Sequence, residues 1–422
     1  MIKIFKGNIL YTKIPEKFSI IEDGYIVVEK NIVVGVYKEL PSKYENRKIE
    51  VETKGLIIPG FNDIHVHASQ WINGGMGFSL ELLPWLNKYT FAVEEKYKNS
   101  DFAKKSYKIS IDEMIKNGTT RASIFATRHL EGTKILIDLL RESGMGAFVG
   151  KVNMDRNSIP GLIEDTDASI SETLELIEWM NKTKKDDDIV KYIITPRYVP
   201  CTTSKLMKEL GKLSSKYELP VQSHLDENKD EINWVSKLHP ECHDFTSVYN
   251  DYGLMPKGKT IMAHCIHSTD EELNMLKEKG VLIAHCPQSN ANLSSGIMSL
   301  RKYMDLGLRI GLGSDVGGGH TLNMREHIVE TIKTSKLYWT LFPEYKPVSF
   351  SEAFYLATKG GGSIFGNVGS FEEGYEFDAL IIDDSNLINE IPHNLEERLE
   401  RFIYVGSYKN IYKKYVAGSE LM

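Results

Sequence analysis

The sequence contains little cysteine, and this scarcity excludes two kinds of site. Its four cysteines, Cys201, Cys242, Cys265 and Cys286, are spread over 422 residues, and no two of them form a CxxC pair. A disulfide framework or a cysteine-ligated zinc site needs a denser pattern of cysteines than this. We therefore expect reduced thiols, as is usual in the cytoplasm, and a chemistry that depends on other residues.

Long apolar runs and an excess of positive charge are also absent. No uncharged apolar stretch approaches the roughly 18–20 residues that a membrane span requires, and residues 1–7 lack the apolar core of a secretory signal. The 51 Lys and Arg residues are outnumbered by 58 Asp and Glu residues, which gives a formal net charge of −7. We expect a cytoplasmic protein that binds neither a membrane nor a nucleic acid.

Short apolar segments alternate along the chain with helical patterns rich in Lys and Glu. This alternation predicts a parallel sheet, and eight segments predict an α/β protein that forms a closed, TIM-like (β/α)8 barrel. An open doubly wound sheet would need a GxGxxG turn after its first strand, and the sequence has none there. The eight predicted strands lie at residues 56–67, 119–126, 147–153, 190–197, 219–224, 260–264, 281–286 and 308–315.

Both ends of the chain are rich in strand-forming residues. Short strands are predicted at residues 1–12, 24–38, 48–55, 376–382, 401–405 and 411–416. We expect the two ends to combine into one small β-sheet domain beside the barrel. The predicted boundaries are residues 1–58 and 367–422 for the β-sheet domain and residues 59–366 for a metal-dependent barrel.

Histidines and an aspartate stand where four of the predicted strands end, which is where barrel enzymes place their functional groups. His65 and His67 are two residues apart on a strand, so their side chains point the same way. His224, His264 and Asp315 end the fifth, sixth and eighth strands. An HxH pair alone is a weak signal. The combined set suits Zn²⁺ or Fe²⁺ with one position left for water, and spacing alone would make His264 a further ligand.

Glu227 lies three residues beyond His224, where its carboxyl group could flank a bound metal without binding it. A metal lowers the pKa of the water that it holds towards about 7. Attack of that water on a ring carbon then needs an acid that protonates the adjacent ring nitrogen. The alternative is that Glu227 caps the following helix. We favour the acid, because Asp226 and Asn228 could serve as the cap equally well.

Five longer segments carry a resemblance to a known family. They are residues 59–70 (PGFNDIHVHASQ), 85–91 (WLNKYTF), 195–198 (TPRY), 222–228 (QSHLDEN) and 315–319 (DVGGG). Together with the histidines at the strand ends, these segments resemble the mononuclear amidohydrolase superfamily and, within it, the guanine deaminase family. The likeness covers nearly the whole chain, so it is far more specific than any single motif.

The resemblance implies one metal ion per chain, Zn²⁺ by preference and Fe²⁺ as the alternative. Members of the superfamily with two metals hold the second ion with a modified lysine from the fourth strand. Here that strand ends in residues 195–198, without lysine, and Lys191 lies at its opposite end. The implied metal ligands are His65, His67, His224 and Asp315. The same resemblance makes His264 a residue that orients the attacking water, and not a further ligand.

The resemblance also implies a substrate and a reaction, the hydrolytic deamination of free guanine to xanthine and ammonia. Gln70 and Arg197 match residues that hold the purine, and Tyr198 matches a ring that packs on it. An arginine and a side-chain amide suit the carbonyl and N–H edges of such a ring. The alternative for Arg197 is an ion pair at the strand end. The implied catalytic residues are Glu227, His264 and Asp315.

Other functions remain open at this point. The nearest is deamination of another nucleobase or purine-like ring, such as cytosine or an adenosine-like compound. A cyclic-amide hydrolase would favour two metals, and a non-enzymatic scaffold is disfavoured by the intact ligand set. Deaminases of flipped bases combine HxE with PCxxC, a combination that does not occur here. The roles of two residues also remain open. His285 either supports the site or has a structural role, and the segment around Trp85 is either a lid over the site or part of the packing. The resemblance implies a homodimer.

Overall fold

Strands and helices alternate through most of the chain. Among the helices that the structure describes, none is long and apolar enough to cross a membrane. The computed structural model describes residues 2–387 and 391–421. The strands are β1 (Ile2–Ile14), β2 (Lys17–Glu29), β3 (Ile32–Tyr37), β4 (Ile49–Pro59), β5 (Phe61–His67), β6 (Thr119–Phe125), β7 (Gly146–Gly150), β8 (Val152–Asn153), β9 (Val190–Tyr192), β10 (Thr195–Pro196), β11 (Val221–Leu225), β12 (Thr260–His264), β13 (Leu282–His285), β14 (Arg309–Leu312), β15 (Ala379–Ile382), β16 (Ile411–Val416) and β17 (Ser419–Leu421). The α-helices are α1 (Leu82–Trp85), α2 (Phe91–Glu94), α3 (Ser100–Lys116), α4 (Leu130–Ser143), α5 (Thr166–Thr183), α6 (Ser204–Tyr217), α7 (Lys229–Leu238), α8 (Phe245–Asp251), α9 (Asp270–Lys279), α10 (Pro287–Asn292), α11 (Leu300–Asp305), α12 (Met324–Leu341), α13 (Phe350–Tyr355) and α14 (Leu395–Val405).

Gly60 divides the first predicted strand between two sheets. Strand β4 ends immediately before this glycine, and β5 begins immediately after it. A β-carbon at Gly60 would lie 2.2 Å from Thr120 Cγ2, so a larger residue does not fit this close approach. The single strand predicted for residues 56–67 is therefore wrong, because the chain changes sheets within it.

Strands from both ends of the chain lie side by side in one seven-stranded sheet. Its strand order is β17-β16-β15-β4-β1-β2-β3. The two ends meet where β15 pairs antiparallel with β4, with Ala379 opposite Pro59. Aromatic side chains fill one face of this sheet, and the ring centroids of Phe5 and Phe377 are 4.4 Å apart. The burial of these rings joins the first and last segments of the chain.

The strands that lead to the predicted site form two parallel four-stranded sheets, β5-β6-β7-β9 and β11-β12-β13-β14, with a short pair β8-β10 between them. The prediction of one continuous eight-stranded sheet is therefore not met among the described residues. Pro196 in β10 has no N–H to donate, which limits strand pairing there. Backbone hydrogen bonds still join the sheet edges, among them those from Gln222 N to Ile194 O (2.9 Å) and from Asp315 N to His65 O (2.8 Å).

Residues 401–405, predicted as a strand, belong to helix α14. The helix begins with a capping box in which Asn394 accepts a hydrogen bond from Glu397 N and the Glu397 side chain accepts one from Asn394 N. Its buried residues Leu399, Phe402 and Ile403 follow the spacing of one helix face. A short apolar run such as residues 401–405 fits either a strand or a helix. Here the capping box that starts at Asn394, seven residues earlier, begins a helix that includes the run.

A buried ion pair links the parallel sheet to the sheet of the chain ends. The Arg121 guanidinium on β6 donates two hydrogen bonds to the Asp378 carboxylate, from Nε (2.7 Å) and from Nη2 (3.0 Å). Arg121 Nη2 also donates to Glu376 (2.7 Å). Because both members of the Arg121–Asp378 pair are almost completely buried, each charge depends on the other.

We predict that Asp378→Ala lowers the free energy of unfolding by about 3–5 kcal/mol, because it leaves a buried guanidinium without its main partner. The matched control is Asp112→Ala, which breaks the exposed pair with Lys108 and should cost less than about 1 kcal/mol. Urea unfolding followed by tryptophan fluorescence measures both changes. Equal effects of the two substitutions would contradict the importance of the buried pair.

Candidate active site

The polar residues that end the parallel strands surround one small cavity. Its wall is completed by the segment after β5, by helix α1 and by the turn that follows β14. Apolar side chains, among them Leu82, Leu86 and Leu293, form part of the wall. The remaining lining residues are His67, Gln70, Trp85, Arg197, Tyr198, His224, Glu227, Glu231, Asp315 and Gly318.

Three histidines and one aspartate converge at the base of this cavity. One ligand atom from each of His65, His67, His224 and Asp315 lies within 4.8 Å of those of the others. His65 Nε2 and His67 Nε2 lie 3.0 and 3.3 Å from Asp315 Oδ1. His67 Nε2 also lies 3.2 Å from His224 Nε2. The structure therefore brings together the four residues that the sequence nominates as metal ligands, from strands β5 and β11 and the turn after β14.

The donor atoms of this group fit a shared cation. His224 Nδ1 faces Arg197 O at 2.7 Å and must carry the ring proton, which leaves a lone pair on His224 Nε2. The His65 ring is fully buried, its Nε2 faces Asp315 Oδ1, and its Nδ1 makes no hydrogen bond within the described part of the chain. Burial lowers the pKa of His67 to about 4 and holds that of His224 well below its ordinary value. Neutral imidazoles with free lone pairs are the form of histidine that binds metal.

Glu227 lies in the cavity wall, beside the four candidate ligands but not among them. Burial, reinforced by the nearby charge of Asp315, raises the pKa of Glu227 to about 8. The Ser295 hydroxyl donates a hydrogen bond of 3.0 Å to Glu227 Oε1, and this bond opposes the rise. The carboxyl group is thus protonated at neutral pH and can act as an acid.

The cap of the following helix is Asn228, and not Glu227. The Asn228 side chain accepts a hydrogen bond from Asp230 N and forms a capping box with Glu231 at the start of α7. The capping role considered for Glu227 is therefore filled by its neighbour, and the Glu227 side chain is left for the cavity.

His264 lies beside His65, with ring centroids 5.7 Å apart, and faces the other oxygen of the Asp315 carboxylate. Its Nε2 is 3.6 Å from Asp315 Oδ2 and 3.4 Å from Glu227 Oε2. Its Nδ1 lies 2.9 Å from Asn290 Oδ1, an acceptor that places the ring proton on Nδ1 and directs the Nε2 lone pair at the two carboxyl groups. His264 is not a member of the four-residue group. Its position between two carboxyl groups matches a residue that orients a water molecule.

The two predicted purine-binding residues share one buried carboxylate. Gln70 Nε2 donates to Glu94 Oε1 (2.7 Å), and Arg197 Nη1 donates to Glu94 Oε2 (2.5 Å). Arg197 also stacks against Phe91, with its guanidinium carbon 5.0 Å from the ring centroid. Arg197 thus makes the ion pair that was the alternative interpretation, and it also lines the cavity. Its role in binding a purine stays a prediction. Tyr198 lines the same cavity.

The two residues whose roles the sequence left open differ in their surroundings. Trp85 lines the cavity, and its indole Nε1 donates to Met76 O at 2.9 Å. His285 is buried behind the site, and neither of its ring nitrogens makes a hydrogen bond within residues 2–387 and 391–421. Burial, with a smaller contribution from the His264 charge, lowers its pKa to about 3. His285 is therefore neutral, and it does not line the cavity.

The site contains several residues that were not predicted from the sequence, such as Glu231, which lines the cavity. Three others, Glu94, Asn290 and Ser295, form hydrogen bonds with predicted site residues. Each reaches its partner across a long sequence separation: 103 residues from Glu94 to Arg197, 26 from Asn290 to His264 and 68 from Ser295 to Glu227. No local spacing marks such contacts. The only available signal is for Glu94, a charged residue that closes the aromatic segment from Trp85 to Phe91 and so stands out as a candidate for a buried partner.

Comparison with known proteins identifies the family. The model of the amidohydrolase family matches residues 56–421. The chain belongs to the amidohydrolase family. It therefore has the TIM-barrel-like α/β fold of that family.

Individual relatives narrow the likeness to one kind of amidohydrolase. The guanine deaminase of Dictyostelium discoideum is 37% identical over 100% of this chain and 98% of its own length. That of Escherichia coli (strain K12) is 33% identical over 96% of this chain and 92% of its own. A crystal structure of guanine deaminase from C. acetobutylicum, with guanine bound in its active site, is 51% identical with a TM-score of 0.97 and covers 100% of both chains. The resemblance drawn from the sequence motifs is confirmed.

We predict that the wild-type protein retains about one zinc ion per chain after dialysis and that His67→Ala weakens zinc binding more than about 100-fold. Loss of a residue that merely supports a metal ligand costs 10–100-fold, and loss of a ligand should exceed that. Metal analysis and competition with a chromogenic chelator measure both quantities. The matched control is His285→Asn, another buried histidine outside the ligand group, which should leave the zinc content unchanged. Full zinc retention by His67→Ala would remove this residue from the ligand set.

Proposed function

We propose that this protein catalyses the hydrolytic deamination of free guanine to xanthine and ammonia. The observation that carries the proposal is a single cavity in which a candidate metal site, an unligated carboxyl group and a pair of purine-binding side chains face one another. The guanine deaminases to which the chain is similar support the choice of substrate, and the relative from C. acetobutylicum was solved with guanine bound. The reaction consumes one water molecule for each guanine.

Zinc is the metal that we propose for the site. Three imidazole nitrogens and one carboxylate oxygen are the donors that Zn²⁺ takes in hydrolytic enzymes, and Fe²⁺ accepts the same set. The convergence of His65, His67, His224 and Asp315 and the lone pair of His224 Nε2 support this assignment. When bound, such an ion supplies Lewis acidity, which lowers the pKa of a coordinated water molecule.

Gln70, Arg197 and Tyr198 are the residues that we propose to bind the purine. The N–H groups of Gln70 and Arg197 meet acceptor atoms on the ring, and the Tyr198 ring packs against its face. Both polar side chains are held by Glu94, so little rotamer freedom is lost when the base binds. The apolar part of the cavity wall, including Leu82, excludes water from the bound ring.

Glu227, His264 and Asp315 are the residues that we propose to move or direct protons. Glu227 holds a proton at neutral pH and donates it to the ring nitrogen next to the attacked carbon. Asp315 accepts a proton from the attacking water, and the His264 Nε2 lone pair helps to orient that water. Asp315 then delivers its proton to the amino group, and the C–N bond breaks to release ammonia. The ionised Glu227 takes the proton of the hydroxyl group on the attacked carbon as the new carbonyl forms, so both carboxyl groups return to their starting states.

We expect the zinc-loaded protein to release xanthine and ammonia from guanine, whereas Glu227→Gln should lose most turnover and keep its zinc. The amide preserves the shape of the side chain but has no acidic proton to donate, and loss of general acid catalysis costs about 10²–10⁴-fold in kcat. Xanthine formation followed in the ultraviolet, together with metal analysis, measures both properties. Absence of xanthine from the zinc-loaded wild-type protein would end the proposal. Full activity of Glu227→Gln would remove Glu227 from the mechanism.

The pH dependence of kcat should report the Glu227 proton. An acid that must donate a proton is active below its pKa, so kcat should fall as the pH rises through that value. Ser295 stabilises the charged form of Glu227 and therefore lowers the pKa of this carboxyl group. Ser295→Ala should raise that pKa and move the alkaline limb of the kcat profile upward by about one unit, the worth of one hydrogen bond to a charged group.

The matched control for this shift is Ser268→Ala, because Ser268 donates to a different buried carboxyl group, that of Asp226. The alkaline limb of the kcat profile of Ser268→Ala should coincide with that of the wild type. An unchanged limb in Ser295→Ala, or an equal shift in both variants, would contradict the assignment of the limb to Glu227.

The proposed architecture places this site at one end of a closed (β/α)8 barrel formed by residues 59–366, beside a β-sheet domain of residues 1–58 and 367–422. The backbone hydrogen bonds at the junctions of the two parallel sheets support closure of the barrel. We also propose a cytoplasmic homodimer. The exposed apolar side chains of Leu337, Trp339 and Leu341 on α12 support self-association, and sedimentation velocity distinguishes a dimer from a monomer.

A further inference from the structure

Glu94 is a buried carboxylate that does not itself line the cavity but holds two residues that do. It lies at the end of α2, with its side chain almost completely shielded from solvent. One carboxylate oxygen accepts from Gln70 Nε2 and the other from Arg197 Nη1. A carboxylate has only acceptor sites, so each of its partners must present an N–H group to it. Glu94 therefore determines which way the two side chains face.

The Gln70 amide is oriented from both ends. Its Oε1 accepts a hydrogen bond of 3.0 Å from Gly317 N, while its Nε2 donates to Glu94. A flipped amide would set Nε2 against the Gly317 N–H and Oε1 against the Glu94 carboxylate, and both contacts would be repulsive. The amide group therefore keeps one orientation, and the second N–H of Gln70 Nε2 is left for the cavity.

Arg197 adds further donors to the same part of the cavity wall. Its Nη1 is bound to Glu94, and within residues 2–387 and 391–421 its Nε and Nη2 groups have no side-chain partner. Because the guanidinium has five N–H groups and no acceptor, the groups that remain can only donate. The wall formed by Gln70 and Arg197 thus offers N–H groups to a bound ring.

We propose that Glu94 is a positioning residue that makes this protein select a purine with a carbonyl group over one with an amino group at the same ring position. The inference rests on the proposed function. A carbonyl oxygen accepts from the N–H groups of the wall, whereas an amino group sets its own N–H groups against them. A buried donor without an acceptor is costly, so the mismatch penalises the amino compound.

The test compares kcat/KM for guanine and for 2,6-diaminopurine. Both compounds carry the 2-amino group that leaves. They differ in having a carbonyl or an amino group at position 6 and, as a consequence, in whether the adjacent N1 carries a hydrogen. The wild type should prefer guanine by at least about 100-fold, because a site built to hydrogen-bond a group rejects an analogue that cannot match it. Equal kcat/KM values for the two purines in the wild type would overturn the inference without any variant. Absence of turnover with both purines would instead overturn the proposed function.

Two variants test whether Glu94 is the origin of the preference. Glu94→Gln leaves only one acceptor oxygen for two donors, Gln70 and Arg197. When Arg197 keeps that oxygen, the NH2 group of the new amide faces Gln70, and Gln70 loses its fixed orientation. The ratio of kcat/KM values should fall at least tenfold, mainly through a higher KM for guanine. The double substitution Gln70→Glu with Glu94→Gln keeps one carboxylate in the cluster and preserves every hydrogen bond. The Gly317 N–H and the new amide N–H at position 94 then donate to the new carboxylate at position 70, and Arg197 donates to the carbonyl oxygen of that amide.

The double variant presents an acceptor to the cavity where the wild type presents a donor, so it should favour 2,6-diaminopurine relative to the wild type. Because it retains the hydrogen bonds and the charge of the cluster, it remains informative if Glu94→Gln alone fails to fold. The matched control is Glu164→Gln, a buried carboxylate paired with Lys151 outside the cavity lining, and its ratio should equal that of the wild type. If the double variant had the same ratio of kcat/KM for guanine to kcat/KM for 2,6-diaminopurine as the wild type, Glu94 would be only a structural charge partner, and the inference would be overturned.

Discussion

The position of the Asp315 carboxylate is the constraint on which the site depends. Its backbone N–H donates to His65 O at 2.8 Å, which fixes the turn after the last parallel strand against the first one. This hydrogen bond places one carboxylate oxygen beside His65 and His67 and the other beside His264. Asp315 has a positive φ of 45°, a conformation that a non-glycine residue adopts at a cost, and this is common at functional sites.

Burial acts in opposite directions on the two kinds of titratable group around Asp315. It lowers the pKa of the histidines, because it disfavours their charged form, and it raises the pKa of Glu227 for the same reason. At neutral pH the imidazoles therefore keep free lone pairs while Glu227 keeps a proton. A single physical effect, the exclusion of water by the surrounding strands, thus favours both the neutral imidazoles of the candidate metal site and the protonated carboxyl group of the proposed acid.

The buried carboxyl groups of the site differ in function because they differ in partners. Asp315 faces imidazoles, Glu94 binds an arginine and an amide, and Glu227 accepts from the Ser295 hydroxyl. An arginine partner keeps a carboxylate charged and fixed, which suits a residue that orients others. A single hydroxyl partner leaves the proton on Glu227 within reach of a bound ring. The same side-chain chemistry thus accounts for the three roles that we propose for these residues, namely metal ligation, positioning and proton transfer.

The sequence by itself determined the features that depend on local spacing. The two-residue interval between His65 and His67, the polar ends of the parallel strands and the helix cap next to Glu227 were all predictable, because strand and helix periodicity fix the direction of nearby side chains. The sequence could not determine that Gly60 divides a strand, that residues 401–405 are helical or that Glu94 holds Arg197. These features were decided by tertiary structure, because a close approach, a distant cap and a contact across 103 residues exist only once the chain is folded.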